Sequence, residues 1–227
     1  MSEAPDALAK AWTEFAIRER GEVATRIWDL WSATATPFYV FVVRPEAAAI
    51  ERIALVGRAL AEGEITAPVP PHFLHITVQS LGNEGEAGLT AAIASDLADA
   101  VADALRAIAP FTVRLAHVGP FGSGAFIAVE ETDEAHFLAR MQRVVVDALL
   151  HANRVPVRHP ERAYLPHLSV CYFDAPHPSA SVSAVLAPFR EADFGVLAVD
   201  AIELVRVAGD GSLYPPMETV RRIPLGG

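Results

Sequence analysis

PHFLHITVQSLG (residues 71–82) carries a four-residue unit, HITV, that returns far downstream as HLSV inside LPHLSVCYF (residues 165–173). Each unit is a histidine, an aliphatic residue, a hydroxyl residue and a valine, and each runs on into strand-like sequence. On a strand, side chains alternate faces, and residues two apart share a face at roughly 6.5 Å. His75 and Thr77 therefore point one way, with Gln79 continuing the row, while Leu74, Ile76 and Val78 point the other. In the second unit His167, Ser169 and Cys171 share one face, and Leu168, Val170 and Tyr172 share the other. A polar row backed by a continuous apolar row fits a strand with one face on a core and the other on a water-filled cleft.

Working outward, helix and strand alternate twice along the chain. Leu8, Trp12 and Phe15 begin a helical spacing over residues 5–31, broken or kinked at Gly21. TPFYVFVV (36–43) is a β-type run, and PEAAAIERIALVGRALAE is a helix with Pro45 in its first turn. After the strand HFLHITVQSLG come a helix over about 86–108 and strands at FTVRLAHV and AFIAVE, joined by the turn GPFGSG. A further helix opens on Thr132 and Asp133 as caps, and the loop NRVPVRHPERAYLP feeds HLSVCYF. A short helix at about 179–189, a strand VLAVDAIELVRV and a last strand METVRRIPL complete the pattern. With one histidine strand in each half, this predicts an α+β chain of two lobes, each a small antiparallel-type sheet covered by helices. Residues 1–36 read as an N-terminal helical extension and 37–227 as the bilobal domain. Trp12, Trp28 and Trp31 make the extension a cap over one lobe, with a dimer contact as the alternative.

The bulk composition narrows the function. The 227 residues are 52% hydrophobic and 20% charged, a globular balance. A net charge of −10 disfavours long duplex nucleic acid, whose binding comes mainly from neutralising phosphates. Small anionic ligands stay open, because a local basic loop works inside an acidic whole. RVPVRHPER, with Arg154, Arg158, His159 and Arg162 just ahead of the second unit, is either such a substrate-gripping loop or a solvated one. Cys171 is the sole cysteine, which excludes an internal disulfide and a multi-cysteine zinc site. The start, MSEAPDALAKAW, is acidic and lacks the layout of a signal peptide, and no apolar run approaches a membrane span. A cytoplasmic protein without membrane partners is the expectation.

Two imidazoles and two hydroxyls make a coherent chemical set. One imidazole takes a proton from water and the other protonates a leaving oxygen, each worth roughly 10²–10⁴-fold in rate. Thr77 and Ser169 donate hydrogen bonds where charge develops on non-bridging phosphate oxygens. The set calls for no metal, no cofactor and no covalent nucleophile. His72 and His75 are not a metal pair, since residues three apart on a strand face opposite sides. Cys171 reads as small filler, and Ser169 with His167 fails as a hydrolase dyad because same-face neighbours stand too far apart. Phe121, in GPFGSG, is either a stacking platform at the cleft edge or a turn residue that packs down.

HITV and HLSV, in matching strand contexts, resemble the paired motifs of the 2H phosphoesterase superfamily, which includes the 2'-5' RNA ligase and RNA 2',3'-cyclic phosphodiesterase family. HITVQSLG is similar to that family's first motif running into a Leu-Gly turn, and PHLSV has its proline before the second histidine. The resemblance implies pseudo-twofold lobes with the motif strands lining a central cleft. It further implies metal-independent opening of a 2',3'-cyclic phosphate, with His75 and His167 as the acid–base pair and Thr77 and Ser169 as phosphate holders. Gln79, Cys171, Arg158, Arg162 and Phe121 are the further candidates for cleft or substrate contacts. Leu165 stands where the ligase branch commonly has arginine, which tilts the expected partner toward a small nucleotide or short RNA end. Another small cyclic phosphate, a 2'-5' linked oligonucleotide, or non-catalytic binding of a nucleotide or RNA end are the alternatives.

Overall fold

The run FYVFVV forms strand β1 (Phe38–Val43), buried at every position after the first, as a β-branched and aromatic strand does when both faces are covered. The structure, a computed structural model, describes residues 3–23, 36–131, 136–158 and 164–226. Helix α1 (Glu3–Ala16) precedes β1, and helix α2 (Ala47–Glu62) follows it. Glu46 is the extended N-cap of α2, so Pro45 lies just ahead of the first turn and not within it. Ala49, Ile53, Val56, Gly57 and Leu60 form the buried stripe of α2 at helical spacing.

Strand β2 (Ile76–Asn83) is shorter than the sequence predicts. Pro70 and Pro71 cannot donate to a ladder, and Pro71–Phe73 instead makes one 3₁₀ turn that delivers His75 to the strand's threshold. Helix α3 (Ala91–Leu105) starts later than predicted, after Gly85 and Gly88, at Thr90, whose hydroxyl accepts the Ile93 N–H at 3.2 Å. Strands β3 (Phe111–Phe121) and β4 (Gly124–Glu131) close a hairpin with only Gly122 and Ser123 between them. Phe121 is therefore the last strand residue and not a loose turn residue. Helix α4 (Phe137–Ala152), strand β5 (His167–Tyr172) and helix α5 (Ser179–Leu186) follow; Thr132 and Asp133, expected to cap α4, lie outside the described residues.

The predicted single strand VLAVDAIELVRV is two strands, β6 (Asp193–Val199) and β7 (Ala201–Val207), before β8 (Met217–Pro224) ends the sheet. All eight strands join one antiparallel sheet in the order β6-β3-β4-β5-β2-β1-β7-β8. In a flat sheet β6 and β7 would stand about 29 Å apart, six strand spacings. One residue, Asp200, joins them and spans no more than about 7 Å. The sheet must therefore curl until its ends approach, which makes a trough of its middle.

The middle is where the two histidine strands meet. β5 and β2 share a single backbone pair, Ile76 with Leu168, whereas every other neighbour in the sheet pairs over at least five residues. The sheet thus divides into β6-β3-β4-β5 and β2-β1-β7-β8, the two lobes. Their helices do not stay with their own strands. α2, which connects β1 to β2, packs on β5, β6 and α5, and α4, which connects β4 to β5, packs on β2 and α3. This exchange ties the lobes together behind the seam. Ile76 and Leu168 are fully buried beneath it, each worth roughly 1.5–3 kcal/mol in apolar burial. α1 lies against β3 and β4, with Trp12 Nε1 donating to the Val118 carbonyl at 3.0 Å and Arg190 over its ring. Trp28 and Trp31 lie outside the described residues.

Candidate active site

Antiparallel pairing of Ile76 with Leu168 sets the two motifs head to tail, so His75 lies toward Ser169 and Thr77 toward His167. Each imidazole is held in the same way. His75 Nδ1 is 2.7 Å from the Phe73 carbonyl and His167 Nδ1 is 3.0 Å from the Leu165 carbonyl, in both cases two residues upstream. A carbonyl only accepts, so Nδ1 carries the proton and donates it, which leaves Nε2 for the cleft. Each ring also meets an aromatic edge-on: His75 meets Phe73 at 5.6 Å and His167 meets Phe126 at 5.9 Å. The backbone bond thus orients both rings alike.

The environments differ. His75 is half-buried while His167 is exposed. Burial lowers the His75 pKa to about 4, against the opposing pull of the Phe73 carbonyl, and His167 and Arg44 add smaller like-charge effects. The neutral form of His75 is thus the one present at physiological pH.

A cavity of about 290 Å³ lies on the Thr77 side of the seam, lined by Phe38, residues 77–80, Gln142, Arg158, Tyr164, Leu165 and His167. It brings together Thr77, Gln79, Arg158 and His167 of the predicted set. Arg158 is ion-paired with Glu86 and lies across Gly82, whose φ of 131° keeps that edge of the site free of a side chain. Gln79 is buried, and its amide nitrogen donates to the carbonyls of Ser80 and Arg158, so it ties down the basic loop. Arg162 and His159 lie outside the described residues.

Two of the predicted strand rows are broken for one reason. Val42 pairs with Thr77 and the next residue back, Phe41, with Gln79, so Val78 is a bulge. Phe126 pairs with Ser169 and Ala125 with Cys171, so Val170 is a bulge too. Past a bulge the alternation inverts. Gln79 accordingly leaves the row of Thr77, while its side chain still lines the cavity. Cys171 turns into the core, fully buried, with its thiol pushed up to about 12 by burial, and it takes no place on the cleft. Tyr172 comes to the cleft side instead, where its hydroxyl donates to Ser169 Oγ at 3.1 Å.

Tyr172 was not among the residues the sequence singled out, because strict alternation assigns it to the core face. Tyr164 was missed as well: its hydroxyl donates to the Thr77 carbonyl at 3.0 Å, and burial raises its pKa. Phe121 packs against Phe126 and Tyr172, with ring centroids at 6.1 and 6.0 Å. It belongs to an aromatic arc running His75–Phe73–Tyr214–Tyr172–Phe121–Phe126–His167, each ring within 6.3 Å of the next.

A larger cavity, of about 360 Å³, lies behind the seam between α2 and residues 68–71. Its lining is almost wholly aliphatic and offers no acid–base pair. Among the described residues no group of three or more His, Cys, Asp and Glu stands where it could hold a metal ion, and no helix is long and apolar enough to cross a membrane.

The comparisons with known proteins agree with this architecture. The RNA 2',3'-cyclic phosphodiesterase of Methanothermobacter thermautotrophicus is 25% identical over 157 residues, covering 67% of this chain and 80% of its own. TT0787 of Thermus thermophilus superposes with a TM-score of 0.64 at 21% identity, over 84% of this chain and 98% of its own. LigT of Escherichia coli, in its complex with NADP+, gives 0.60 at 18% identity over 84% and 98%. The family model of the 2'-5' RNA ligase superfamily matches residues 41–211, which span both lobes and both histidine motifs, and the chain belongs to that superfamily.

Proposed function

We propose that the chain is a phosphodiesterase that opens 2',3'-cyclic phosphates of nucleotides or short RNA ends to a phosphomonoester, by acid–base catalysis between His75 and His167. The observation that carries this reading is the matched pair of imidazoles at the seam, each with Nδ1 on a backbone carbonyl and Nε2 left for a ligand. His75, neutral and half-buried, takes the proton of the attacking water. His167, open to solvent, protonates the ribose oxygen as its bond to phosphorus breaks. Thr77 and Ser169 donate to the non-bridging oxygens as their charge builds. The reading needs no covalent intermediate, and the buried Cys171 has no part in it.

The relatives support the substrate class. The Methanothermobacter relative is named for RNA 2',3'-cyclic phosphate, and LigT of Escherichia coli has been crystallised with ATP and with 3'-AMP as well as NADP+. Arg158, paired with Glu86, leaves little free positive charge at the described rim, in keeping with a small nucleotide over a long strand.

Phosphorus NMR of each nucleoside 2',3'-cyclic monophosphate incubated with the protein in EDTA tests the proposal. It expects one regioisomer of the monoester to accumulate. A folded protein that binds these nucleotides and converts none of them would make it a binding protein on the same fold.

A further inference from the structure

We infer that Tyr172 is a positioning residue that fixes the hydroxyl of Ser169 as a hydrogen-bond donor to the phosphate, an inference that rests on the phosphodiesterase reading. The Tyr172 hydroxyl donates to Ser169 Oγ at 3.1 Å. A serine hydroxyl has one proton to give, and Tyr172 occupies an acceptor position on the oxygen, so the serine's own proton is turned away from the tyrosine. Tyr172 is itself firmly placed. Its ring lies between Phe121 at 6.0 Å and Tyr214 at 6.3 Å, and its backbone N–H donates to the Tyr214 hydroxyl at 3.3 Å, which in turn donates to the Ala67 carbonyl at 3.1 Å. The bulge at Val170 is what brings the ring round to the serine.

Among the described residues only Ser169, of the two motif hydroxyls, has such a partner, and the opposite lobe gives the reason. Three residues beyond Ser169 stands Tyr172, and three beyond Thr77 stands Ser80. Threonine is β-branched and stiff at χ1, so its hydroxyl direction is restricted by its own methyl group. Serine rotates freely, and the tyrosine supplies the restraint that the missing methyl would give. In the Thr77 lobe the corresponding tyrosine contact, from Tyr164, goes to the backbone carbonyl of Thr77.

The test is a double-mutant cycle with adenosine 2',3'-cyclic monophosphate, using wild type, Tyr172→Phe, Ser169→Ala and the double variant. Tyr172→Phe keeps the stacked ring and should lower kcat roughly two- to tenfold, the range of one neutral hydrogen bond, with KM within twofold. In the Ser169→Ala background the same change should do nothing further, and Ser169→Thr should restore kcat to Tyr172→Phe. A Tyr172→Phe variant equal to wild type, or one whose loss recurs undiminished beside Ser169→Ala, would overturn the inference. Should the wild type turn over no cyclic nucleotide, the phosphodiesterase reading fails by itself. The inference is then read from inorganic phosphate affinity across the same proteins by phosphorus NMR, where equal affinity of wild type and Tyr172→Phe overturns it.

Discussion

Val78 and Val170, the fourth residues of the two motifs, are each a bulged residue of their strand. The two lobes thus repeat a deformation as well as a sequence. A bulge bends the strand and sharpens its twist, and here both bulges flank the single pair, Ile76 with Leu168, at which the half-sheets meet. The bend lets the strands diverge at once, opening the seam where His75, Thr77, His167 and Ser169 lie.

The His75 environment makes stability depend on pH with a definite sign. Its folded pKa, about 4, is below the unfolded value near 6.5, so below 6.5 the unfolded state binds the proton that the folded state refuses. Stability should therefore fall as pH drops from about 6.5 to about 4, by an amount on the order of 3 kcal/mol. Urea titrations of wild type and His75→Gln across that range should show the extra loss in wild type alone. Parallel curves would mean that His75 is not desolvated.

Catalysis should carry the same mark. If His75 is the base, kcat/KM stays on its plateau well below pH 6 and declines only toward pH 4 on the acid side. An acid limb centred near 6.5 would assign the base to a group in ordinary solvent.

Gly124 faces Tyr172 across β4 and β5, and a Cβ there would meet the Cys171 carbonyl oxygen at 2.2 Å. Gly124→Ala must push the two strands apart and should cost about 1–3 kcal/mol, read as a lower denaturant midpoint. An unchanged midpoint would contradict the close approach.

Cys171 should be chemically silent in the folded protein. Its thiol is fully buried and its pKa is pushed up to about 12. Iodoacetamide at pH 8 should label it only in denaturant, and Cys171→Ala should retain near-wild-type kcat. Rapid labelling of the native protein would put the thiol back on the cleft.

Most of the architecture could be read from hydrophobic period and turn residues, because β1, α2, the β3–β4 hairpin and the motif strands each carry their own pattern. His75, Thr77, His167 and Ser169 were legible for the same reason, lying on the motif side of each bulge. Cys171 and Tyr172 were not, since a bulge inverts the alternation past it without altering the residue types. The division of VLAVDAIELVRV at Asp200 was hidden as well. Its apolar run is continuous in sequence, and only the curl of the whole sheet shows that its halves pair with different lobes. The exchange of α2 and α4 between lobes is likewise a property of packing at long range, absent from either helix alone.

Above all, His75 and His167 should work as one acid–base unit. Measuring kcat/KM for adenosine 2',3'-cyclic monophosphate in His75→Ala, His167→Ala and the double variant tests it most directly. Each single substitution should cost at least roughly 10²-fold, and the double should cost little more than the worse single, as for groups that act together. A single variant within a few-fold of wild type, still folded by circular dichroism, would contradict the account.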